Sequence, residues 1–193
     1  MKTLMLLLVL LGQVAEAAQF PPGTELDSSG DNGAAFRAWR QLAERGDAGA
    51  QFNLALMYFR GDGVPQDHSE AVIWYRLAAE QGHAKAQLNL GYMYNGGHGV
   101  RQDHAEAARW FRMAAESGHA IAQANLARQF YMGQGVPADY VRSYAWFALA
   151  AAQGERNSVT NKKIIAEVMT AAQIAEAQQL SRELCAKITL CEK

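Results

Sequence analysis

The stretch HAKAQLNLGYMYNGGHGVRQDHAEAARWFRMAAESG, residues 83–118, decides the fold because the segments on either side repeat its pattern in register. The pattern recurs at a period of 36 residues, in 47–82 and again in 119–154. Matching positions include tryptophans, aspartates and turn glycines: Trp74, Trp110, Trp146, Asp67, Asp103, Asp139, Gly61, Gly97, Gly133, Gly63, Gly99 and Gly135. Self-similarity at this period is typical of a solenoid, in which stacked units share a core that no single unit could build.

Each unit has the pattern of two helices joined by a tight turn. In the central unit we expect a first helix over 84–94, because its small and apolar residues recur at helical spacing. The glycine-containing turn 97–103 follows, and Asp103 is the expected N-cap of the second helix, with Glu106 completing a capping box. The sequence therefore predicts an all-α protein, an α-solenoid of stacked antiparallel helix pairs that forms a right-handed superhelix.

The tryptophans of the second helices, Trp74, Trp110 and Trp146, are expected in the core, where large rings fill the gaps left by small neighbours. The register also divides the chain into a signal peptide, a flexible lead-in, a capping helix equal to half a repeat, three full repeats and two closing helices with a cysteine pair. These segments are 1–18, 19–30, 31–46, the repeats 47–82, 83–118 and 119–154, and 155–193. Past Gly154 the repeat pattern fails, and the closing helices are expected over 159–168 and 170–187.

The first residues have the pattern of a secretory signal peptide. Lys2 provides a positive start, 4–11 is an apolar run, and 15–17 carries small residues at a cleavable spacing. We expect cleavage after Ala17 or Ala18, export to a periplasm or the extracellular space, and no stable membrane insertion afterwards. The apolar run is far shorter than the roughly 20 residues that a membrane span needs.

The chain has two cysteines, Cys185 and Cys191, both near its carboxyl end. In an oxidising compartment a close pair is more often a disulfide than two free thiols, so we expect a bond that holds the end of the last helix.

Charge argues against a nucleic-acid partner. The chain carries 18 Lys and Arg against 19 Asp and Glu, a net charge of −1, so there is no basic footprint for nucleic acid or anionic lipid. We expect a protein that is a monomer when alone.

The pattern A-x-A-Q-x-N-L-G-x-M-Y-x-x-G-x-G-V-x-x-D-x-x-x-A-x-x-W-[YF]-x-x-A-A-x-x-G, matched over 48–154, resembles the Sel-one-like repeat family, a relative of the tetratricopeptide repeats. The resemblance implies an adaptor that scaffolds complexes, regulates receptors or assists envelope and secretion machinery. Some exported members neutralise toxic effectors. A cysteine-rich branch has been linked to β-lactam binding and hydrolysis, but these repeats contain no cysteine, so that activity is not expected here.

No motif in the sequence supports catalysis, a cofactor or a metal. The glycine turns lack the G-x-x-x-x-G-K-[ST] arrangement of a phosphate loop. Histidines in equivalent repeat positions are too far apart to converge on one ion, and only His98 and His104 could pair. We therefore predict a protein that is not an enzyme.

The positions that vary between repeats point to a binding surface. On the first helices they fall at i, i+3, i+7 and i+10, which defines one stripe. Its members are Gly49, Phe52, Leu56, Phe59, Lys85, Leu88, Tyr92, Asn95, Ile121, Ala124, Arg128 and Tyr131. Core positions stay constant because every interface is alike, so a variable stripe is expected to face away from the core and to line a concave groove.

Two interpretations of the stripe stay open: a groove rich in residue types that are common at binding hot spots, or variation caused by the different ends of the array. Asn53, Asn89 and Asn125 beside the stripe could bond a partner's backbone or link neighbouring repeats. The leading hypothesis is a non-catalytic adaptor of the cell envelope that binds a protein or peptide. The alternatives are an immunity-type inhibitor of an exported toxin and an envelope enzyme such as a β-lactam or cell-wall hydrolase.

Overall fold

The computed structural model describes residues 32–188, and within that range it contains nine α-helices and no strand. The helices are α1 Asn32–Glu44, α2 Ala48–Arg60, α3 His68–Glu80, α4 Ala84–Gly96, α5 His104–Glu116, α6 Ala120–Met132, α7 Tyr140–Ala152, α8 Arg156–Ala166 and α9 Ala171–Lys187. None of these nine is long and apolar enough to cross a membrane. The expected signal peptide and lead-in, and Cys191 with its expected disulfide, lie outside the described residues.

The helices form the predicted solenoid. Within each repeat the first helix packs on the second, α2 on α3, α4 on α5 and α6 on α7. Each second helix also packs on the first helix of the next repeat, so the stack is continuous from α3 to α8. The helix α1 packs on α2 in the same way and supplies the second-helix half of a unit, as the sequence predicts.

Aspartates cap the second helices as predicted, by accepting hydrogen bonds from backbone N–H groups of the first turn: Asp67, Asp103 and Asp139. The capping box expected at Asp103 is only half formed, and the Glu106 carboxylate pairs with the Arg109 guanidinium at 2.6 Å instead. At α9 the box is complete, with Thr170 and Gln173 each bonding the other's backbone N–H.

The turn inside each repeat presses against the repeat before it. In the central repeat Gly97 ends α4 in a left-handed conformation and donates its N–H to the Met93 carbonyl, which carries the helix two residues beyond the predicted end. Two residues later, a Cβ at Gly99 would lie only 2.2 Å from the backbone of His68, the first residue of α3. Gly99 also has a φ of +66°, so both space and conformation require glycine there.

Buried glutamines tie neighbouring repeats together. Each first helix directs one glutamine amide to a carbonyl at the end of the preceding second helix: Gln51 to Ala43 at 3.2 Å, Gln87 to Ala79 at 3.1 Å and Gln123 to Ala115 at 3.2 Å. The last carbonyls of a helix have no partner within the helix, so these bonds satisfy groups that would otherwise be buried unpaired.

In two repeats the buried glutamine also accepts a bond from a second glutamine at the end of the second helix. These pairs are Gln81 with Gln51 at 2.7 Å and Gln153 with Gln123 at 2.9 Å. The central repeat has Ser117 at the equivalent position, and its hydroxyl bonds the Met113 carbonyl instead. As a result the side-chain oxygen of Gln87 is buried without a partner.

Replacing Ser117→Gln should complete this series and raise the free energy of unfolding by about 1 kcal/mol, because a buried acceptor gains its hydrogen bond. Urea denaturation of the variant and the parent protein measures the change. The matched control, Gln153→Ser, should lower stability by a similar amount. If S117Q is no more stable than the parent protein, the unpaired oxygen of Gln87 does not lower the stability of the central repeat.

Aromatic rings of the second helices fill the space between helices. Tyr75, Phe111 and Phe147 are at most 2% exposed. Trp110 and Trp146 are buried as expected, at 2% and 5% exposure. Trp74 is only partly buried, which differs from the expectation, because it packs toward the small N-terminal cluster around Ala43, Ala50 and Leu54, where α1 alone covers the stack.

The central ring requires a glycine opposite it. A Cβ at Gly91 in α4 would lie 2.5 Å from Cε1 of Phe111, whereas the other two repeats have Ala55 and Ala127 at this position. Phe111 thus occupies volume that an alanine would take.

Replacing Gly91→Ala should lower the free energy of unfolding by about 1–3 kcal/mol through overpacking, despite the better helix propensity of alanine. Thermal and urea denaturation report the loss. The control is Gly49→Ala in α2, where the new Cβ meets only the Asp47 carboxylate at 3.3 Å. A G91A protein as stable as the G49A protein would show that Phe111 moves aside at little cost.

The repeat register continues further than the sequence pattern suggested. The helix α8 starts at Arg156, three residues before the predicted start, because the Glu155 carboxylate caps it by accepting bonds from the N–H groups of Asn157 and Ser158. Glu155 stands 36 residues after His119, the N-cap of α6, so the first-helix half of a fourth unit is present. The helix α9 then departs from the pattern and packs on α7.

Candidate functional site

The candidate binding surface is the set of variable positions on α2, α4 and α6, here called the first-helix face. Its exposed or partly exposed members are Gly49, Phe59, Lys85, Tyr92, Asn95, Ile121, Ala124, Arg128 and Tyr131. Lys85 and Ile121 are the most open of these, and Ile121 is 38% exposed.

Three members of the face are buried, so the expectation that the whole stripe faces away from the core is wrong at these positions. Phe52 and Leu56 are 6% exposed, and Leu88 is completely buried. The reason is the close approach of neighbouring repeats. The ring of Phe52 stacks on His83, at the start of α4, with centroids 4.8 Å apart, and also contacts Tyr75.

The members nearest the turn each pair with the first residue of the following second helix, nine positions further along the chain. The chemistry of the pair changes from repeat to repeat. Phe59 stacks on His68 with centroids 4.9 Å apart, Asn95 bonds His104 at 3.0 Å, and Tyr131 contacts Tyr140 with centroids 5.5 Å apart. One geometric position therefore accepts stacking, a hydrogen bond or a tilted ring pair.

In the middle of the face a hydrogen-bond network crosses from α4 to α6. Asn125 donates to the hydroxyl of Tyr92 at 2.7 Å and to the carbonyl of Ile121 at 2.9 Å, and it accepts from Nη2 of Arg128 at 2.5 Å. Burial raises the pKa of Tyr92, which is therefore neutral at physiological pH. Asn125 thus acts as a link between repeats, the second of the two roles left open by the sequence.

Asn125 was missing from the candidate set although it positions two members of it. Its signal is recurrence, because asparagine also occupies the same register at Asn53, Asn89 and Asn161. The equivalent Asn89 makes neither of these bonds, because the repeat before it carries Leu56 where Asn125 finds Tyr92. Its buried amide instead lies beside the buried hydroxyl of Tyr75, without good hydrogen-bond geometry.

Histidines begin two of the first helices. His83 caps α4 by accepting the Ala86 N–H at Nδ1, while His119 begins α6 without a side-chain bond. Burial, and next the charge of Lys85, lower the pKa of both imidazoles below the ordinary 6.5. Lys85, exposed at the start of α4, thus acts on the histidines of two successive repeats.

The histidine pKa values predict loss of stability in mild acid. Because each folded-state pKa lies below the unfolded value, the unfolded chain binds more protons near pH 6.5. The free energy of unfolding should therefore decrease as the pH falls from above 6.5 through that value. The double replacement His83→Asn and His119→Asn keeps residues that can cap a helix, and it should flatten the dependence between pH 5.5 and pH 7.5, a range of about two units around the ordinary histidine pKa. Urea midpoints across that range measure it, and an unchanged slope in the double variant would assign the effect elsewhere.

The histidine pair suggested by the sequence is not formed. His104 bonds Asn95, whereas His98 lies edge-on to His68 with ring centroids 5.9 Å apart. Across 32–188 no group of three or more His, Cys, Asp or Glu side chains is arranged to hold a metal ion. An open depression at the turn of the central repeat is lined by Tyr94 and by residues 100–104, and its volume is about 490 Å³.

The sequence matches the Sel1 repeat family model three times, over residues 48–83, 84–119 and 120–155. The chain belongs to the Sel1-repeat family. The matches begin one residue later than the units assigned from the period. Proteins with Sel1 repeats are generally scaffolds for protein–protein interaction.

Solved structures of similar proteins have the same fold. A protective antigen of uropathogenic Escherichia coli strains, which displays an SLR fold, is 39% identical with a TM-score of 0.74, over 79% of this chain and 33% of the antigen. A Sel1 repeat protein from Oxalobacter formigenes is 38% identical with a TM-score of 0.62, over 67% of this chain and 97% of that protein.

Helicobacter pylori cysteine rich protein B shares the fold at 18% identity and a TM-score of 0.54, over 67% of this chain and 93% of that protein. This chain therefore corresponds to about a third of the E. coli antigen but to nearly the whole of the two smaller structures. Among curated proteins none matches the chain.

Proposed function

We propose that this Sel1-repeat protein is a non-catalytic adaptor of the bacterial cell envelope that holds a segment of a partner protein along its first-helix face. The observation that carries the proposal is the contrast between constant and variable positions. Residues between helices, such as the glutamine series, are the same in each repeat, whereas the partly exposed residues of the face differ. A regular scaffold that carries different exposed residues in each repeat is the pattern of a surface specialised for recognition.

The face is shared between repeats. Asn125 of α6 donates to the Tyr92 hydroxyl of α4, so side chains of the two helices meet across the face. A segment that lies across the face would contact more than one repeat, which suits an extended chain.

The envelope location rests on the beginning of the sequence, where a positive residue, an apolar run and small residues follow in the order of a secretory signal. The similar E. coli protein is described as a protective antigen, a property consistent with exposure outside the cytoplasm. A cleavable signal and a repeat scaffold together favour an exported binding protein.

Site-specific photocrosslinking tests which face binds. A photoreactive amino acid at Ile121, on the first-helix face, should crosslink to a discrete envelope protein in the source cell. The same group at Ile73, which is 51% exposed on the second helix α3, is the matched control and should give little or no product. Mass spectrometry of the adduct identifies the partner and the segment in contact.

Equal crosslinking from Ile121 and Ile73 would show that the face is not selective. Products at Ile73 alone would move the binding surface to the second helices. Detection of the full-length protein, with its first 18 residues, in the cytoplasmic fraction would contradict the envelope location.

A further inference from the structure

Arg128, in the middle of the first-helix face, makes no ion pair with any residue of 32–188. The ion pairs within 32–188 are Arg40 with Glu44, Arg109 with Glu106 and Arg142 with Asp139, all on second-helix elements. Arg128 belongs to none of them, and its one hydrogen bond in this range goes to the neutral amide of Asn125. Its remaining N–H groups reach solvent, because none of its nitrogens is buried and unpartnered.

The surroundings of Arg128 are poorly suited to a free cation. Burial lowers the pKa of its guanidinium, whereas the pKa of Arg109 is raised by its bond to Glu106. A partly buried guanidinium loses hydration and gains most from a carboxylate that it can bind through two parallel N–H groups. Within residues 32–188 no carboxylate lies within ion-pair distance of it.

The carboxylate that acts on Arg128 is that of Glu155, which caps α8. Glu155 acts on Arg128 from the start of α8, but one oxygen of its carboxylate accepts from the Asn157 N–H, and the other from the N–H and hydroxyl of Ser158. These bonds hold Glu155 as a helix cap, and within residues 32–188 its carboxylate lies beyond ion-pair distance of Arg128.

The side chain of Arg128 is held in place by its neighbours. Asn125 is fixed by three hydrogen bonds, one of them to Tyr92, whose ring packs edge-on against Phe111 with centroids 5.4 Å apart. Groups that are already positioned lose less conformational entropy when a ligand binds.

A second cation stands at the other end of the same groove. Lys85 is exposed on α4, seven residues before Tyr92, which is two helical turns or about 10 Å along the helix. It also makes no ion pair within 32–188. Burial lowers the pKa of its neighbours His83 and His119, which are therefore neutral above pH 6.5, and Asp47 is held as the N-cap of α2.

We propose that the groove between α4 and α6 binds an acidic segment of the partner protein, with one side-chain carboxylate on Arg128 and a second, three residues away, on Lys85. In a polyproline-type conformation, residues i and i+3 point the same way and lie about 9 Å apart, so a segment with acidic residues at this spacing presents both carboxylates to one face. This inference rests on the proposed function and names the chemistry of the segment that the face receives. The selectivity for an acidic segment arises at Arg128, because the other two repeats carry the uncharged residues Leu56 and Tyr92 at this position.

The test uses the described protein and a defined peptide. An acetylated and amidated peptide Pro-Glu-Pro-Pro-Glu-Pro is titrated into the isotope-labelled protein, and NMR follows the side-chain N–H signals of Arg128 and Asn125. Both signals should shift, and binding should weaken as salt is added. The glutamine counterpart of the peptide should bind at least about tenfold more weakly.

Variants assign the binding to the two cations. Arg128→Leu restores the residue type of the first repeat and should reduce affinity about tenfold, and Lys85→Gln about threefold, because the partly buried cation is less screened. The control Arg112→Gln removes a charge from the exposed surface of α5 and should leave affinity unchanged. Thermal melting confirms that each variant is folded. Tyr92→Phe, which removes the hydrogen bond from Asn125, serves if R128L does not fold and should reduce affinity about threefold.

Equal binding of the glutamate and glutamine peptides would overturn the inference, as would an R128L protein that binds as tightly as the parent. A glutamine peptide with a free carboxyl terminus that binds through Arg128 as tightly as the acidic peptide would assign the site to a chain terminus instead. Absence of all binding would also overturn it. The crosslinking result at Ile121 stands apart from these outcomes, so the groove can hold a partner even if the acidic segment is wrong.

Discussion

The stack depends on one recurring hydrogen bond, from a buried glutamine of each first helix to a carbonyl at the end of the preceding second helix. Gln51, Gln87 and Gln123 make this bond at nearly equal distances. Because the acceptor and donor are both buried, breaking one bond would leave two unpaired polar groups in the core. The bond therefore fixes the position of each repeat on the last, and with it the register of every other contact in the solenoid.

Most of the fold could be predicted because the same interfaces are encoded three times. The period gave the helix pairs, the aspartate caps and the half unit at α1, and the structure agrees on each. The helix ends were less accurate. The start of α8 was missed because glutamate replaces the histidine that begins α6, so the cap was not recognised at Glu155. The box at Asp103 was only half formed, with Glu106 paired to Arg109 instead.

The candidate surface could be predicted only in outline. Variation between repeats located the first-helix face. Burial within the face depends on how closely neighbouring helices approach, and that distance cannot be read from the sequence of a single repeat. Phe52, Leu56 and Leu88 are covered for this reason. The lack of an ion pair at Arg128 within residues 32–188 was equally hidden, because it depends on where Glu155, the cap of another helix, lies relative to it.

Three local imperfections fall on the same helix, α4. Gly91 weakens its helix propensity, Asn89 is buried without partners, and the oxygen of Gln87 lacks the bond that its counterparts have. In the units on either side, the side-chain oxygens of Gln51 and Gln123 do accept a hydrogen bond, from Gln81 and Gln153. The glutamine series is thus one hydrogen bond weaker at the centre of the array than on either side, so a change in curvature would break the fewest of these bonds beside α4.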